Sequence, residues 1–208
     1  VIIGNGIDLS RFTDTQKETA RIIYTSTPNR GLENILDMWG EIRKKVKGAT
    51  LHVFYGWNTF AEMNKSNPVA MQWMRTMQDK LKQDGVVMHG RVNQTELAKE
   101  MGKSQVWLYP TEFAEIHCIT ALEMQAARVY PITSGYAALA ETQKSGLKIA
   151  GDPKNKNTQD KYIKEVVYAI ENPDTLNKEI EDGVAYAKSC SWDNVTNKWE
   201  SVLWNTAQ

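Results

Sequence analysis

The sequence predicts an α/β fold: a Rossmann-like parallel sheet of six strands with helices on both faces, followed by a helical C-terminal segment. Three observations predict it. Short β-branched and aromatic runs alternate with stretches whose apolar residues recur at helical spacing. A strand, a helix and a second strand in succession call for a right-handed crossover, which lays the strands parallel and covers the sheet with helices. From Gln159 onward the pattern turns helical, with interruptions at Pro173 and near Cys190-Ser191. A chain of 208 residues can bury a substantial core, so 1–208 reads as one domain.

In chain order, Val1-Ile2-Ile3 reads as the end of a strand arriving from elsewhere, and Gly4-Asn5-Gly6 as a turn. Residues 1–18 are expected to lead in from an N-terminal domain, with 9–18 a polar surface loop. Residues 20–25 form the first strand. Leu32, Ile35, Leu36, Trp39, Ile42 and Val46 then mark an amphipathic helix, closed by basic residues and Gly48. Residues 50–55 are the second strand and 56–67 an irregular connection. Pro68 opens the next helix, which runs toward Gly85. Residues 86–89 are the third strand, and 95–101 a short helix with Thr95 as its N-cap. Residues 106–109 are the fourth strand. Residues 129–134 are the fifth, where Pro131 implies an edge or a bulge. A helix over 135–144 and a short strand over 147–149 complete the sheet. Residues 159–208 supply helices packing on it, the last capped by Ser191. Trp39, Trp73 and Trp107 fall on apolar faces and are expected in the core, whereas Trp192, Trp199 and Trp204 lie in the C-terminal segment.

Composition removes several function classes. Lys plus Arg equals Asp plus Glu at 25 each, which argues against a nucleic-acid binder working through bulk charge. Two unpaired cysteines, Cys118 and Cys190, fit neither a disulfide framework nor a zinc ribbon. A cytoplasmic setting is expected, with peripheral association at the cytoplasmic membrane face left open. No run of about 18 apolar residues exists to span a membrane, and no signal peptide is visible.

One stretch carries chemistry. After the strand over 106–109, Thr111-Glu112-Phe113-Ala114-Glu115-Ile116-His117-Cys118-Ile119 turns into a helix that continues through Glu123. Glu115 is expected at the turn and Glu123 about two helical turns on, close to the same face. In a parallel sheet this turn lies at the carboxyl edge of the strands, where ligands bind. The helix N-terminus offers N–H groups and partial positive charge to a phosphate. On the residues alone, Glu115 reads equally as a helix-start carboxylate, Glu123 as a solvated one, and Arg30 as a turn residue in Pro28-Asn29-Arg30-Gly31.

Glu115 and Glu123 stand seven residues apart, and this segment resembles the E-x7-E region of retaining GT-B glycosyltransferases, specifically the C-terminal, donor-binding domain of the glycosyltransferase family 4 (group 1) type. Further stretches match in order: Gly4-Asn5-Gly6-Ile7-Asp8, then Ser26 through Leu32 with Arg30 before Gly31, then His89-Gly90-Arg91-Val92. The resemblance covers most of the chain. It implies one half of a GT-B fold and a transferase that moves a hexosyl group from a nucleotide-diphosphate sugar to an acceptor with retained configuration. Glu115 and Arg30 would be catalytic, Glu115 meeting sugar hydroxyls and Arg30 neutralising the departing diphosphate. Glu123 would hold the ribose, His117, Cys118 and Ile119 would offer backbone N–H groups to the diphosphate, and Arg91 and Val92 would adjoin the base. Gly135 and Tyr136 would approach the sugar. Neither cofactor nor metal is implied. A glycan, lipid or protein acceptor would be bound by the N-terminal domain.

The sequence departs from the family pattern at three places. His117 and Cys118 stand where relatives often carry glycines, Thr25 falls near a second basic position that Arg91 could replace, and Arg128 replaces a usual glycine. A non-catalytic nucleotide-binding or interaction module of the same fold is the alternative. An epimerase or phosphorylase of that architecture and a flavodoxin-like regulatory domain are further readings. A phosphorylase would need a cofactor lysine setting that is not recognisable here, and a flavodoxin-like domain would need acidic strand ends, where Ser26, Gly56, Gly90 and Pro110 stand instead.

Overall fold

The computed structural model describes residues 1–205, so 206–208 of the expected C-terminal segment lie outside the described residues. Six strands form one parallel sheet: β1 Arg21–Tyr24, β2 Thr50–Phe54, β3 Val86–Gly90, β4 Val106–Tyr109, β5 Tyr130–Thr133 and β6 Leu147–Lys148. Their order is β3-β2-β1-β4-β5-β6. The register sets Ile22 and Ile23 of β1 against Val106 and Trp107 of β4, and Arg21 through Tyr24 against Thr50 through Val53 of β2. β1 and β4 are buried along their whole length, as near-continuous apolar strands covered on two faces should be.

The helices are α1 Leu32–Lys45, α2 Asn58–Asn64, α3 Pro68–Lys80, α4 Gln94–Lys103, α5 Ile119–Ala126, α6 Leu139–Thr142, α7 Lys156–Glu171, α8 Asn177–Ser189 and α9 Trp192–Asn205. The chain moves one way along the sheet from β1 to β3 and the other way from β4 to β6. Right-handed crossovers therefore put α1 and α3 on one face and α4 and α5 on the opposite one. α7 packs against α1, β4 and β5, while α8 packs against α5. The core between these layers holds Trp39, Trp107, Tyr24 and Tyr162, all almost fully buried. Trp73 is only partly buried, at the margin of that core.

Several local expectations are corrected. The connection over 56–67 contains helix α2, whose weak apolar period hides it; Trp57 and Phe60 pack on Trp73 with ring centroids 6.0 and 5.2 Å apart. The cap of α4 is Asn93 rather than Thr95, its side-chain oxygen accepting from the Glu96 N–H at 2.8 Å. Only Leu139–Thr142 of the stretch 135–144 is helical. The glutamate helix starts at Ile119, so Glu115 lies in the preceding loop and shares no helical face with Glu123. β5 is an interior strand and Pro131 marks neither an edge nor a bulge. The Tyr130 N–H donates toward β4, to the Gln105 carbonyl at 2.9 Å, so alternation turns the Pro131 nitrogen toward β6. There the partner strand begins only at Leu147, opposite Ile132, and no acceptor is left waiting. Other expectations agree. Asn67 caps the Pro68 helix through two N–H bonds, and Ser191 caps α9 through the Asn194 N–H at 3.2 Å.

The lead-in segment is more than a surface loop. Ile7 is buried and stitched to the α8–α9 junction, its N–H donating to Cys190 O at 2.9 Å and its carbonyl accepting from the Trp192 N–H at 3.1 Å. Lys17 donates to two carbonyls at helix C-termini, Ser104 and Ala127, each at 2.9 Å. A cation there suits the negative ends of α4 and α5. Burial, and secondly the nearby Arg128, nevertheless push the Lys17 ammonium down to about 7. Arg128 itself adopts φ 60, the left-handed conformation that a glycine would take without strain.

These features predict the behaviour of Arg128→Gly. Between pH 7 and 10.5 the unfolded chain keeps the Lys17 proton that the folded chain has lost, so unfolding takes up a proton and stability rises with pH over that window. Removing Arg128 raises the folded value and narrows the window. Chemical denaturation at pH 7 and pH 9 should show a smaller difference between the two pH values than in the parent. It should also show a gain at pH 7 of roughly 0.5–1 kcal/mol from the relieved backbone. An unchanged pH difference would refute the coupling.

Candidate functional site

The strand order reverses between β1 and β4, and in such sheets the loops leaving the two strands open a crevice at the carboxyl edge. Here those loops are 25–31 and 110–118. They meet at Gly31, whose φ is 105 and where a Cβ would stand 2.7 Å from the Pro110 oxygen. The buried Asn34 amide of α1 donates to the same oxygen at 2.8 Å. No side chain other than hydrogen fits at Gly31 without moving one loop off the other.

That contact brings Arg30 to Glu115. The guanidinium Nη1 lies 3.3 Å from Glu115 Oε1, and the Tyr109 hydroxyl donates to the same oxygen at 2.8 Å. Glu115 Oε2 makes no hydrogen bond among the described residues. The Arg30 guanidinium also stacks on the Phe113 ring, 3.8 Å from its centroid. Arg30 is 33% exposed and Glu115 12%, so the base of the pair is sheltered while its cationic end faces solvent. Burial, together with the Glu115 carboxylate, raises the Tyr109 phenol strongly and keeps it a hydrogen-bond donor.

Behind Glu115 the chain reaches the N-terminus of α5. The His117 and Cys118 N–H groups find no acceptor among the described residues, whereas the Ile119 N–H donates to His117 O at 3.0 Å. Burial pushes the Cys118 thiol up to about 12, so it is neither a ready nucleophile nor a thiolate ligand. The His117 ring packs under Gly4, where a Cβ would approach its Nε2 to 2.5 Å.

Glu123 lies further along α5, and its Oε1 is held at 2.7 Å by Arg11 Nη2 from the lead-in segment. Both side chains are largely buried, at 13% and 15% exposure. Beyond β5, Gly135 adopts φ 63 and borders a 470 Å³ cavity with Thr111, Glu112, Tyr136 and Asp152. Lys154 pairs with Glu112 at 2.7 Å beside it. Across Arg30 lies a 320 Å³ cavity bounded by Thr27, Tyr55, Phe60, Met63 and Phe113. Arg91 and Val92 follow β3, two strands from β1. Arg91 is exposed beside Gly56, and no ion pair joins it to Glu115 or Glu123 among the described residues. The Thr25 hydroxyl is buried without a partner among the described residues.

The family model of the glycosyl transferases group 1 matches residues 10–196. The chain belongs to this family. Solved structures share the fold. A sucrose-phosphate synthase from Thermosynechococcus elongatus superposes with a TM-score of 0.75 at 14% identity, over 99% of this chain and 52% of its own. A glycosyltransferase from Rickettsia africae gives 0.74 at 14% identity, over 97% and 56%. A pneumococcal O-GlcNAc transferase, in complex with UDP and GlcNAc, gives 0.69 at 12% identity, over 99% and 38%. The chain thus spans about half the length, or less, of these structures. No curated protein sequence matches it significantly.

Sequence reasoning missed Tyr109 and Arg11, which hold Glu115 and Glu123. Tyr109 could have been suspected from its position at the end of a buried strand. Arg11 is 112 residues from its partner and gave no signal. The Arg11–Glu123 pair is testable by denaturation. Arg11→Met strands a sheltered carboxylate and should lower stability by about 1–3 kcal/mol, and Glu123→Gln on that background should recover part of the loss. Equal urea midpoints for all three proteins would show that the pair contributes nothing.

Proposed function

We propose that this domain is the donor-binding half of a longer glycosyltransferase, joined through residues 1–18 to an acceptor-binding domain. In this reading it holds a nucleotide-diphosphate sugar and serves hexosyl transfer with retained configuration. The observation that carries the proposal is the Arg30–Glu115–Tyr109 cluster at the strand-order reversal, next to the two unpaired N–H groups that precede α5. A diphosphate on those N–H groups gains from the positive end of α5. Arg30 turns from Glu115 to the leaving oxygens, where charge accumulates as the glycosidic bond breaks. Glu115, anchored through Oε1, keeps Oε2 for a sugar hydroxyl. Glu123, anchored by Arg11, keeps its second oxygen for the ribose.

The remaining assignments are looser parts of the same proposal. Val92 and Arg91 border the base, and Gly135 and Tyr136 the sugar, beside the 470 Å³ cavity. No step requires a metal in the crevice. The acceptor, a glycan, lipid or protein, belongs to the other domain. Among the described residues no helix is long and apolar enough to cross a membrane. A cytoplasmic location, with or without peripheral attachment at the membrane face, remains part of the proposal. The second reading, a non-catalytic binding module, is favoured by one observation: the buried hydroxyl of Thr25 occupies the place near which relatives keep a second cation.

Calorimetric titration with UDP, GDP and their sugar conjugates tests donor binding. Saturable binding of one nucleotide, weakened at least about tenfold by Glu123→Ala and by Arg30→Ala, supports the donor site. No binding to either this domain or the full-length protein ends the glycosyltransferase reading. In the full-length protein, Glu115→Gln should lower kcat about 100-fold or more with little change in donor affinity. Donor binding without turnover in the parent protein would select the module reading.

A further inference from the structure

Two of the chain's three histidines meet away from the donor crevice, on the sheet face that carries α4. His52 of β2 and His89 of β3 stand with His52 Nδ1 2.8 Å from His89 Nε2, their ring centroids 5.0 Å apart. The register between β2 and β3 shifts here: Val53 faces Met88, but Phe54 faces Gly90, leaving His89 without a cross-strand partner. Such an irregularity re-aims a side chain. The His89 ring lies flat on Phe54, with centroids 4.3 Å apart and an interplanar angle of 7°. The third member is Glu100 of α4, buried to 6% exposure. One ligand atom from each of the three lies within 4.8 Å of the other two.

We propose that His52, His89 and Glu100 form a binding site for a zinc-class divalent cation. Two imidazole nitrogens and one carboxylate oxygen are a borderline donor set that suits Zn²⁺, and they leave a fourth position for water. Bonds of about 2.0–2.1 Å in a tetrahedron place ligand atoms roughly 3.3 Å apart, so the histidine pair opens by about half an ångström to admit the ion. In the metal-free site one imidazole donates its N–H to the other. On binding, that ring shifts its proton to its other nitrogen, so both facing nitrogens offer lone pairs and the rings stay neutral.

The surroundings determine how the ion is accommodated. Glu100 already pairs with Arg21 and, at 2.5 Å, with Lys103. Arg21 is buried and also bonded to Glu18 and to the Ser104 hydroxyl, so it stays in place as a neighbour of the carboxylate. Lys103 is 37% exposed and can leave Glu100 Oε1 to the metal. The ion enters from the side of exposed His89, where the β2–β3 edge of the sheet is open to solvent. Once bound, it ties β2, β3 and α4 together and acts as a structural pin, independently of whether the crevice binds a donor.

Titration of metal-free protein with ZnCl₂ and with CoCl₂ tests the site. The expected result is one equivalent bound in the micromolar range, a tetrahedral Co²⁺ absorption band and a higher melting temperature with Zn²⁺. His89→Gln, at an exposed position that should fold normally, should weaken binding at least about tenfold and abolish the melting shift. Lys103→Met should tighten binding several-fold by freeing the carboxylate. No saturable binding to the parent overturns the proposal. So does binding that survives His52→Ala/His89→Gln in a folded protein, because the metal is then held elsewhere, for example by Cys190.

Discussion

The contact between Gly31 and Pro110 is the constraint on which the crevice depends. β1 and β4 lie side by side because the chain builds outward from β1 in one direction and then returns to build in the other. Their following loops must therefore share one edge of the sheet. A Cβ added at Gly31 would stand 2.7 Å from the Pro110 carbonyl oxygen, which Asn34 holds in place, so the two loops pack at backbone distance. Only at that distance can a side chain of ordinary length carry the Arg30 charge to Glu115.

Charge in this protein is organised in pairs, and its net of zero hides them. Three glutamates of interest each have an arginine from a distant segment: Glu115 with Arg30, Glu123 with Arg11 and Glu100 with Arg21. Each arginine compensates the burial of a sheltered carboxylate and fixes its orientation. At Glu115 and Glu123 the hydrogen bonds among the described residues use one carboxylate oxygen, Oε1. At Glu100 both oxygens are in use, and the more exposed cation is the one that can be exchanged.

The lead-in segment links these parts to the far end of the chain. Ile7 bridges the α8–α9 junction, Arg11 reaches Glu123, and Lys17 collects the carbonyl ends of α4 and α5. A displacement of residues 4–17 would therefore be felt at the helix that carries Glu123 and at the His117 ring under Gly4. The outer side of α9 carries Trp199 and Trp204 at 49% and 72% exposure.

The sequence by itself determined the alternation of strands and helices, because hydrophobic period is a local property that each segment carries. Period also placed Arg30 and Glu115 in loops that follow strands and Glu123 on a helix, whereas the roles proposed for them come from the resemblance to the group 1 glycosyltransferases. The α2 helix escaped because Trp57, Phe60 and Trp73 stabilise it by packing across elements rather than by a regular stripe. Pro131 was misread because the reach of β6, not the strand containing the proline, determines whether a donor is missed. Which side chains meet was settled only by the tertiary structure. Arg30 and Glu115 are 85 residues apart, and Arg11 and Glu123 are 112 apart. Their pairing follows from strand order and loop contact, which are long-range consequences of burial that no local pattern of residues encodes.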